Sequence, residues 1–209
     1  MLQPFKLLNS TVQAVLNELE EQDRKERDDE VDRSVRLRQI PRETGEFLYQ
    51  FLSVYIKAFS SDFIGLEIGT SGGYSAIWHG LALKTIGRGR LISIDIDHKK
   101  HVFAKKNIQK ALVEDYVETI LGDARKYIEN CPYDKFQYVF LDAEKEDYVE
   151  YYNLLKKRGC LSKGSVLIAD NVISHKEELK DFIHLISEDS DVSSIIVSIG
   201  SGLAIIWWL

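Results

Sequence analysis

The sharpest chemical signal in this chain lies in two short stretches, Phe140-Leu-Asp-Ala-Glu-Lys145 and Leu167-Ile-Ala-Asp-Asn171. Asp142, Asp170 and Asn171 each follow an apolar run that reads as a strand. If those strands are neighbours, their oxygens can converge on one point. Two carboxylates and one amide carbonyl, with no cysteine among them, form a hard-oxygen set suited to Mg²⁺, Mn²⁺ or Ca²⁺. A shell this incomplete leaves positions for water and substrate, as a catalytic metal requires. The bland alternative is that both aspartates merely cap the helices that follow. Lys145 weighs against it. Three residues from Asp142, it is within reach of the same point, where a dication and partial desolvation would favour the neutral amine of a general base.

A second signal is Glu67-Ile-Gly69-Thr-Ser-Gly72-Gly73-Tyr, a glycine-rich turn between an apolar run and a helical one. It does not match G-x-G-x-x-G, because Ser71 takes the second glycine position. The spacing Glu67-x-Gly69-x-x-x-Gly73 therefore suits a ligand with no phosphate at that point, although an ordinary tight turn stays open. Asp95, at the tip of the next strand, is placed to accept both hydroxyls of a ribose. NAD-binding and S-adenosylmethionine-binding domains share such a carboxylate, so it does not choose between them.

These residues need a scaffold. Apolar runs at 63–68, 91–95, 117–121, 136–141 and 165–169 alternate with helical stretches around 74–81, after 98, and around 146–158 and 175–187. Such alternation means βαβ crossovers and a parallel sheet covered on both faces. Ser194–Ile199 and Leu203–Leu209, joined through Gly200-Ser-Gly202, read as a closing antiparallel hairpin. In such sheets ligands bind at the carboxyl ends of the strands, where strand order reverses. Glu67–Gly73, Asp95, Gly122-Asp123-Ala124, Asp142–Lys145 and Asp170-Asn171 all fall at that edge. The fold class is a doubly wound α/β domain with helices added at its N-terminus. Residues 1–60 form a helical extension and 61–209 the core of a single domain.

Within the extension, Phe5, Leu8, Val12, Val15, Leu16 and Leu19 form one helical stripe. The charge run Glu18–Arg38 carries acid-before-base pairs four apart (Glu20/Arg24, Glu21/Lys25, Asp23/Arg27, Asp29/Arg33), which predict a solvated helix with a mobile end. A second helix with Phe47, Leu48, Phe51, Leu52, Tyr55 and Ile56 on one face follows Pro41.

Composition excludes several classes. Of 209 residues, 44% are hydrophobic and 29% charged, so the chain is neither fibrous nor disordered. No run reaches the ~18 apolar residues of a membrane span. The start lacks the features of an export signal, so a cytoplasmic protein is expected. Cys131 and Cys160 suggest neither a disulfide framework nor a zinc site. The five histidines show no ligand spacing. A net charge of −6 argues against wholesale nucleic-acid binding.

The chain resembles the cation-dependent O-methyltransferases that include catechol and caffeoyl-coenzyme A O-methyltransferases. The likeness runs from about residue 36 to the end. It rests on Pro41-Arg-Glu-Thr-Gly-Glu-Phe-Leu48, Leu66-Glu-Ile-Gly-Thr-Ser-Gly-Gly-Tyr-Ser75, Ile92-Ser-Ile-Asp95, Phe140–Lys145 and Leu167–Asn171. The resemblance implies a Rossmann-like class I methyltransferase fold with sheet order 3-2-1-4-5-7-6 and strand 7 antiparallel. It implies S-adenosylmethionine over Gly69, Thr70, Ser71 and Gly73, with Ser75 near its carboxylate and Asp95 on its ribose. Asp123 and Ala124 would flank its adenine, Glu67 would lie beneath it and Asp142 would border it. Asp142, Asp170 and Asn171 would hold a divalent cation, conventionally magnesium, and Lys145 would be the base.

The implied acceptor is a hydroxyl of a catechol-like or other vicinal-diol small molecule, and a homodimer is the expected assembly. Ser201, in the Gly200-Ser-Gly202 turn, stands where many relatives carry an acid. Ala143 and Glu144 differ from the bulky pair of animal catechol enzymes, so the acceptor's identity does not carry over. Arg33, Arg36, Arg38 and Arg42 form a basic patch that leaves O-methylation of a hydroxylated tRNA base as an alternative. A nicotinamide dehydrogenase and a non-catalytic cofactor-binding protein are readings from other classes.

Overall fold

The computed structural model describes residues 9–32, 35–59 and 62–209. A seven-stranded sheet in the order β3-β2-β1-β4-β5-β7-β6 forms its centre. The strands are β1 (Ile64–Ile68), β2 (Arg90–Asp95), β3 (Val117–Leu121), β4 (Tyr138–Leu141), β5 (Val166–Ala169), β6 (Val192–Val197) and β7 (Leu203–Trp208). β1 pairs in parallel with β2 and β4, β2 with β3, and β4 with β5. β7 alone runs against its neighbours β5 and β6. The expected fold class and strand order both hold.

Strand alternation divides the interior into two layers. Tyr138 and Phe140 of β4 face a cluster with Val15 and Leu16 of α1 (Ser10–Asp28), Leu48 and Leu52 of α2 (Arg42–Tyr55), Trp78 of α3 (Tyr74–Ile86) and Ile108 of α4 (His98–Lys110). Val139 and Leu141 face the other side. There they meet Ile128 of α5 (Ala124–Glu129), Tyr152 and Leu155 of α6 (Tyr148–Arg158) and Phe182 and Ile186 of α7 (Lys180–Glu188). Of the adjacent tryptophans, Trp207 packs on the first layer and Trp208 lies in the second. The helices of the extension thus share one buried cluster with the sheet.

Three expectations need correction. The final helix begins at Lys180, after a run of turns through 172–179, rather than near 175. A short helix, α5, follows β3, a stretch where the sequence points only to Gly122-Asp123-Ala124 and to no helix. The charged stretch is helical only to Asp28. Glu30 then enters the left-handed region (φ 51°), and residues 35–40 form no helix. Of the predicted helical pairs, Lys25 reaches Glu21 at 3.3 Å and Arg27 reaches Asp23 at 2.8 Å. Glu20 instead binds Arg42 at 2.8 Å and accepts from the Tyr74 hydroxyl at 2.5 Å. Tertiary partners outcompete the local one. Phe5, Leu8 and Arg33 lie outside the described residues.

α2 and α3 meet where Gly45 abuts the fully buried Trp78; a Cβ on Gly45 would stand 2.2 Å from the indole Nε1. Gly45→Ala should therefore overpack this contact and cost about 1–3 kcal/mol. Thermal unfolding should show a fall of several degrees. Gly122→Ala, with open space at its Cβ position, should unfold close to the parent.

Candidate active site

The chain leaves β1 for β2 and β3 on one side, and later β4 for β5 on the other, so strand order reverses between β1 and β4. A cleft of about 660 Å³ opens above that point. Its lining includes Gly69, Thr70, Ser71, Ser75, Asp95, Asp123, Ala124, Asp142, Lys145, Asp170 and Asn171. The structure therefore brings together eleven of the thirteen residues singled out above. Glu67 and Gly73 are the two it leaves outside the lining.

The glycine turn is held open by specific contacts. Gly69 has φ 103°, a conformation open to glycine but strained for other residues. A Cβ there would lie 2.0 Å from the Asp142 carbonyl oxygen. β1 and β4 can approach this closely only because the position has no side chain. The Asp95 carboxylate accepts from the Ser71 N–H at 2.7 Å and from the Asp97 N–H at 2.8 Å, one on each oxygen. A carboxylate has about four acceptor sites, so Asp95 fixes the turn and keeps capacity for two hydroxyls. Asp123 caps α5 by accepting from the Arg125 N–H at 2.9 Å.

Glu67 is fully buried beneath the turn. It accepts from the Ser93 hydroxyl at 2.5 Å, Ser93 shares a 2.6 Å hydrogen bond with Thr70, and His79 Nδ1 lies 3.4 Å from the second Glu67 oxygen. His79 Nε2 in turn meets the Tyr138 hydroxyl at 2.9 Å. A polar chain thus runs from the turn into the core. No sequence signal distinguished His79 from the other four histidines.

At the ends of β4 and β5, Asn171 donates to Asp142 Oδ1 at 2.8 Å. Lys145 Nζ donates to the Ala143 carbonyl at 2.9 Å and lies 3.4 Å from both Asp142 Oδ1 and the Tyr148 hydroxyl. Asp170 is 2% exposed, and its Oδ1 has no hydrogen-bond partner. Burial, reinforced by the nearby Asp142 carboxylate, pushes the Asp170 carboxyl up to about 8, and burial raises Asp142 as well. A buried pair of carboxylates, one with an orphaned oxygen, is a donor set that a divalent cation would satisfy. Among the described residues no group of three or more His, Cys, Asp or Glu side chains forms a metal site. The set here is two carboxylates and an amide, which would turn its oxygen rather than its nitrogen to an ion.

Residues 35–40 form a strap over this cleft, where a solvated helix with a mobile end was expected. Leu37 is 5% exposed; its N–H is held by Glu26 at 2.8 Å, and its carbonyl accepts from the Ser71 hydroxyl. Arg38 pairs with Glu144, between Asp142 and Lys145. From the far side, Ser201 of the β6–β7 turn also reaches the lining.

Comparison with known proteins agrees with this geometry. A model of the O-methyltransferase family matches residues 10–208. A catechol O-methyltransferase of Mycobacterium tuberculosis is 37% identical over 108 residues, 52% of this chain and 47% of that protein. A flavonoid 3',5'-methyltransferase of Vitis vinifera is 28% identical over 178 residues, 74% of each. Against the first of these, the match spans about half the relative's length. Among solved structures, an O-methyltransferase from Bacillus cereus in complex with SAH superposes with a TM-score of 0.78. It is 24% identical and covers 99% of this chain and 94% of that one. That likeness concerns the fold.

The raised Asp170 carboxyl has a consequence for stability. Its folded value, about 8, exceeds the ordinary carboxylate value of 3.8, so the proton is bound more tightly in the folded state. Stability from this group is full below pH 3.8 and lost as pH rises towards 8. Metal-free Asp170→Asn should melt above the parent at pH 8, with the gap closing towards pH 4. Calorimetry should also show that it loses the parent's stabilisation by millimolar Mg²⁺.

Proposed function

The chain belongs to the O-methyltransferase family, and from that premise we propose that it methylates a hydroxyl of a catechol-like or other vicinal-diol small molecule, using S-adenosylmethionine and a divalent cation. One observation carries this reading. Asp142, Asp170, Asn171 and Lys145 converge in the same cleft as the glycine turn and Asp95.

S-adenosylmethionine, when bound, supplies an electrophilic methyl group on a sulfonium sulfur. Gly69–Ser71 and Ser75 would take its amino-acid end, Asp95 the ribose, and Asp123 with Ala124 the adenine. Glu67 and Gly73, outside the cleft lining, would act by shaping the turn. A divalent cation, with Mg²⁺ the first choice and Mn²⁺ or Ca²⁺ also suited to hard oxygens, would supply Lewis acidity for the acceptor's oxyanion. Asp142, Asp170 and Asn171 would hold it.

The chain's own contribution is orientation and proton movement. Lys145 Nζ, 10% exposed on its side chain and held by the Ala143 carbonyl, would accept the proton of the reacting hydroxyl. The strap shields the turn from water, and the rigid ends of β1, β4 and β5 fix donor and acceptor sides relative to each other. Of the patch named for tRNA, Arg36 and Arg38 line the cleft itself rather than a flanking surface. Arg42 is spent on Glu20 and on Asn17 at 2.7 Å, Arg38 turns to Glu144, and Arg33 is outside the described residues. This favours a small acceptor. No helix among the described residues is long and apolar enough to cross a membrane.

Transfer of tritium from labelled methyl donor to catechols, and separately to RNA, tests the reading. Catechols should be labelled and RNA should not. EDTA should abolish the transfer without unfolding the protein. Lys145→Ala should lower turnover by about 10²–10⁴, the worth of a general base, while S-adenosylhomocysteine affinity stays within about threefold, a shift under 1 kcal/mol. Full activity in EDTA would refute the cation's role.

A further inference from the structure

The strap brings two guanidinium groups over the cleft, Arg36 and Arg38. The other arginines that line it are already committed. Arg27 is held by Asp23 at 2.8 Å, and Arg125 by Asp147 at 2.5 Å and Glu150 at 2.8 Å. Arg36 differs: its Nε is buried and has no hydrogen-bond partner. A buried guanidinium N–H left unpaired is costly, and the cost is recovered when an anion takes that place. Arg38 feels the Asp142 and Asp95 carboxylates and grips Glu144 through both of its terminal nitrogens; Glu144 sits between Ala143 and Lys145 at the rim, 58% exposed on its side chain. Because that carboxylate stands largely in water, releasing it leaves no buried charge behind, and an incoming anion can take over the fork. The Arg38 backbone occupies the left-handed region at φ 45°, uncommon for a residue with a side chain. The strap accepts this strain where it directs Arg38 to the Asp142–Lys145 loop.

We propose that Arg36 and Arg38 make this enzyme selective for acceptors carrying a compact anion, a carboxylate or a phosphate monoester, near the diol. The proposal deepens the O-methyltransferase reading above and rests on it. Glu144 holds Arg38 until the acceptor's anion replaces it, and the acceptor's two hydroxyls then face Asp142 and Lys145. The guanidinium fork matches either anion through paired N–H donors. The cofactor's own carboxylate is the competing claimant for these arginines. The turn and Ser75 at the start of α3 line the cleft and, on the reading above, would take it, which leaves the arginines to the acceptor.

Three diols separate the terms: 3,4-dihydroxybenzoate, its methyl ester, and 3,4-dihydroxybenzyl phosphate. The parent should show kcat/KM at least about tenfold higher for one of the anions than for the ester, a difference of about 1.4 kcal/mol. Which anion leads separates a carboxylate acceptor from a phosphorylated one. The double substitution Arg36→Gln, Arg38→Gln should bring the anion-to-ester ratio to within about twofold of unity, with the loss appearing as salt-dependent KM. Glu144→Gln, which removes the competitor for Arg38, should raise that ratio. Calorimetry with S-adenosylhomocysteine should give matching affinities in the parent and the double variant. Equal use of acid and ester by the parent would overturn the proposal. So would a ratio that survives the double substitution, or a loss of S-adenosylhomocysteine affinity parallel to the loss of turnover. If no diol is methylated, the O-methyltransferase reading fails. Calorimetric binding of the same three diols to the Mg²⁺-loaded protein then decides the anion preference alone.

Discussion

Two buried carboxylates at the tips of adjacent strands set the terms for this molecule. Burial raises the proton affinity of both, Asp142 adds to the rise at Asp170, and Asp170 keeps an oxygen with no partner. Such an arrangement is a liability for folding unless it serves a ligand, because buried charge without compensation destabilises. The neighbourhood relieves only part of it. The Asn171 amide and Lys145 address Asp142, while the Tyr148 hydroxyl turns to the Asp170 main-chain oxygen at 3.3 Å and leaves its carboxyl alone. The remainder is an unmet demand for positive charge, which the proposed cation would meet.

Why the site needs the N-terminal helices follows from the strap. Residues 35–40 have no regular hydrogen-bond ladder of their own. They are fixed by Glu26 of α1, by the Ser71 hydroxyl and by burial of Leu37 against the glycine turn. α1 is itself tied down through Glu20, which binds both Tyr74 at the head of α3 and Arg42 at the head of α2. The turn that faces the ligand and the helices remote from it are therefore one mechanical unit.

Legibility in the sequence tracked how local the cause was. The strands were readable because burial on both faces of the sheet leaves continuous apolar runs, and polar residues at their carboxyl ends stood out against them. Asp95, Asp142, Asp170 and Asn171 were found that way. The strap was not. Its place at the end of a charge run reads as solvent-facing, and Leu37 and Ile40 are buried only by tertiary packing, Leu37 beside Gly72. His79 was equally silent, because its partner Glu67 lies on a strand and its partner Tyr138 is 59 residues away. The α7 start was misplaced by a run of turns whose residues are individually good helix formers.

Gly69 couples the two halves of the cleft more tightly than its size suggests. With the Asp142 carbonyl 2.0 Å from where its side chain would begin, the glycine turn and the Asp142–Lys145 loop touch backbone to backbone. Neither can be remodelled without displacing the other. Variation in what this scaffold accepts must therefore come from its periphery, the 35–40 strap and the turn carrying Ser201. Lineages that diverge in acceptor would keep one hub and exchange its rim.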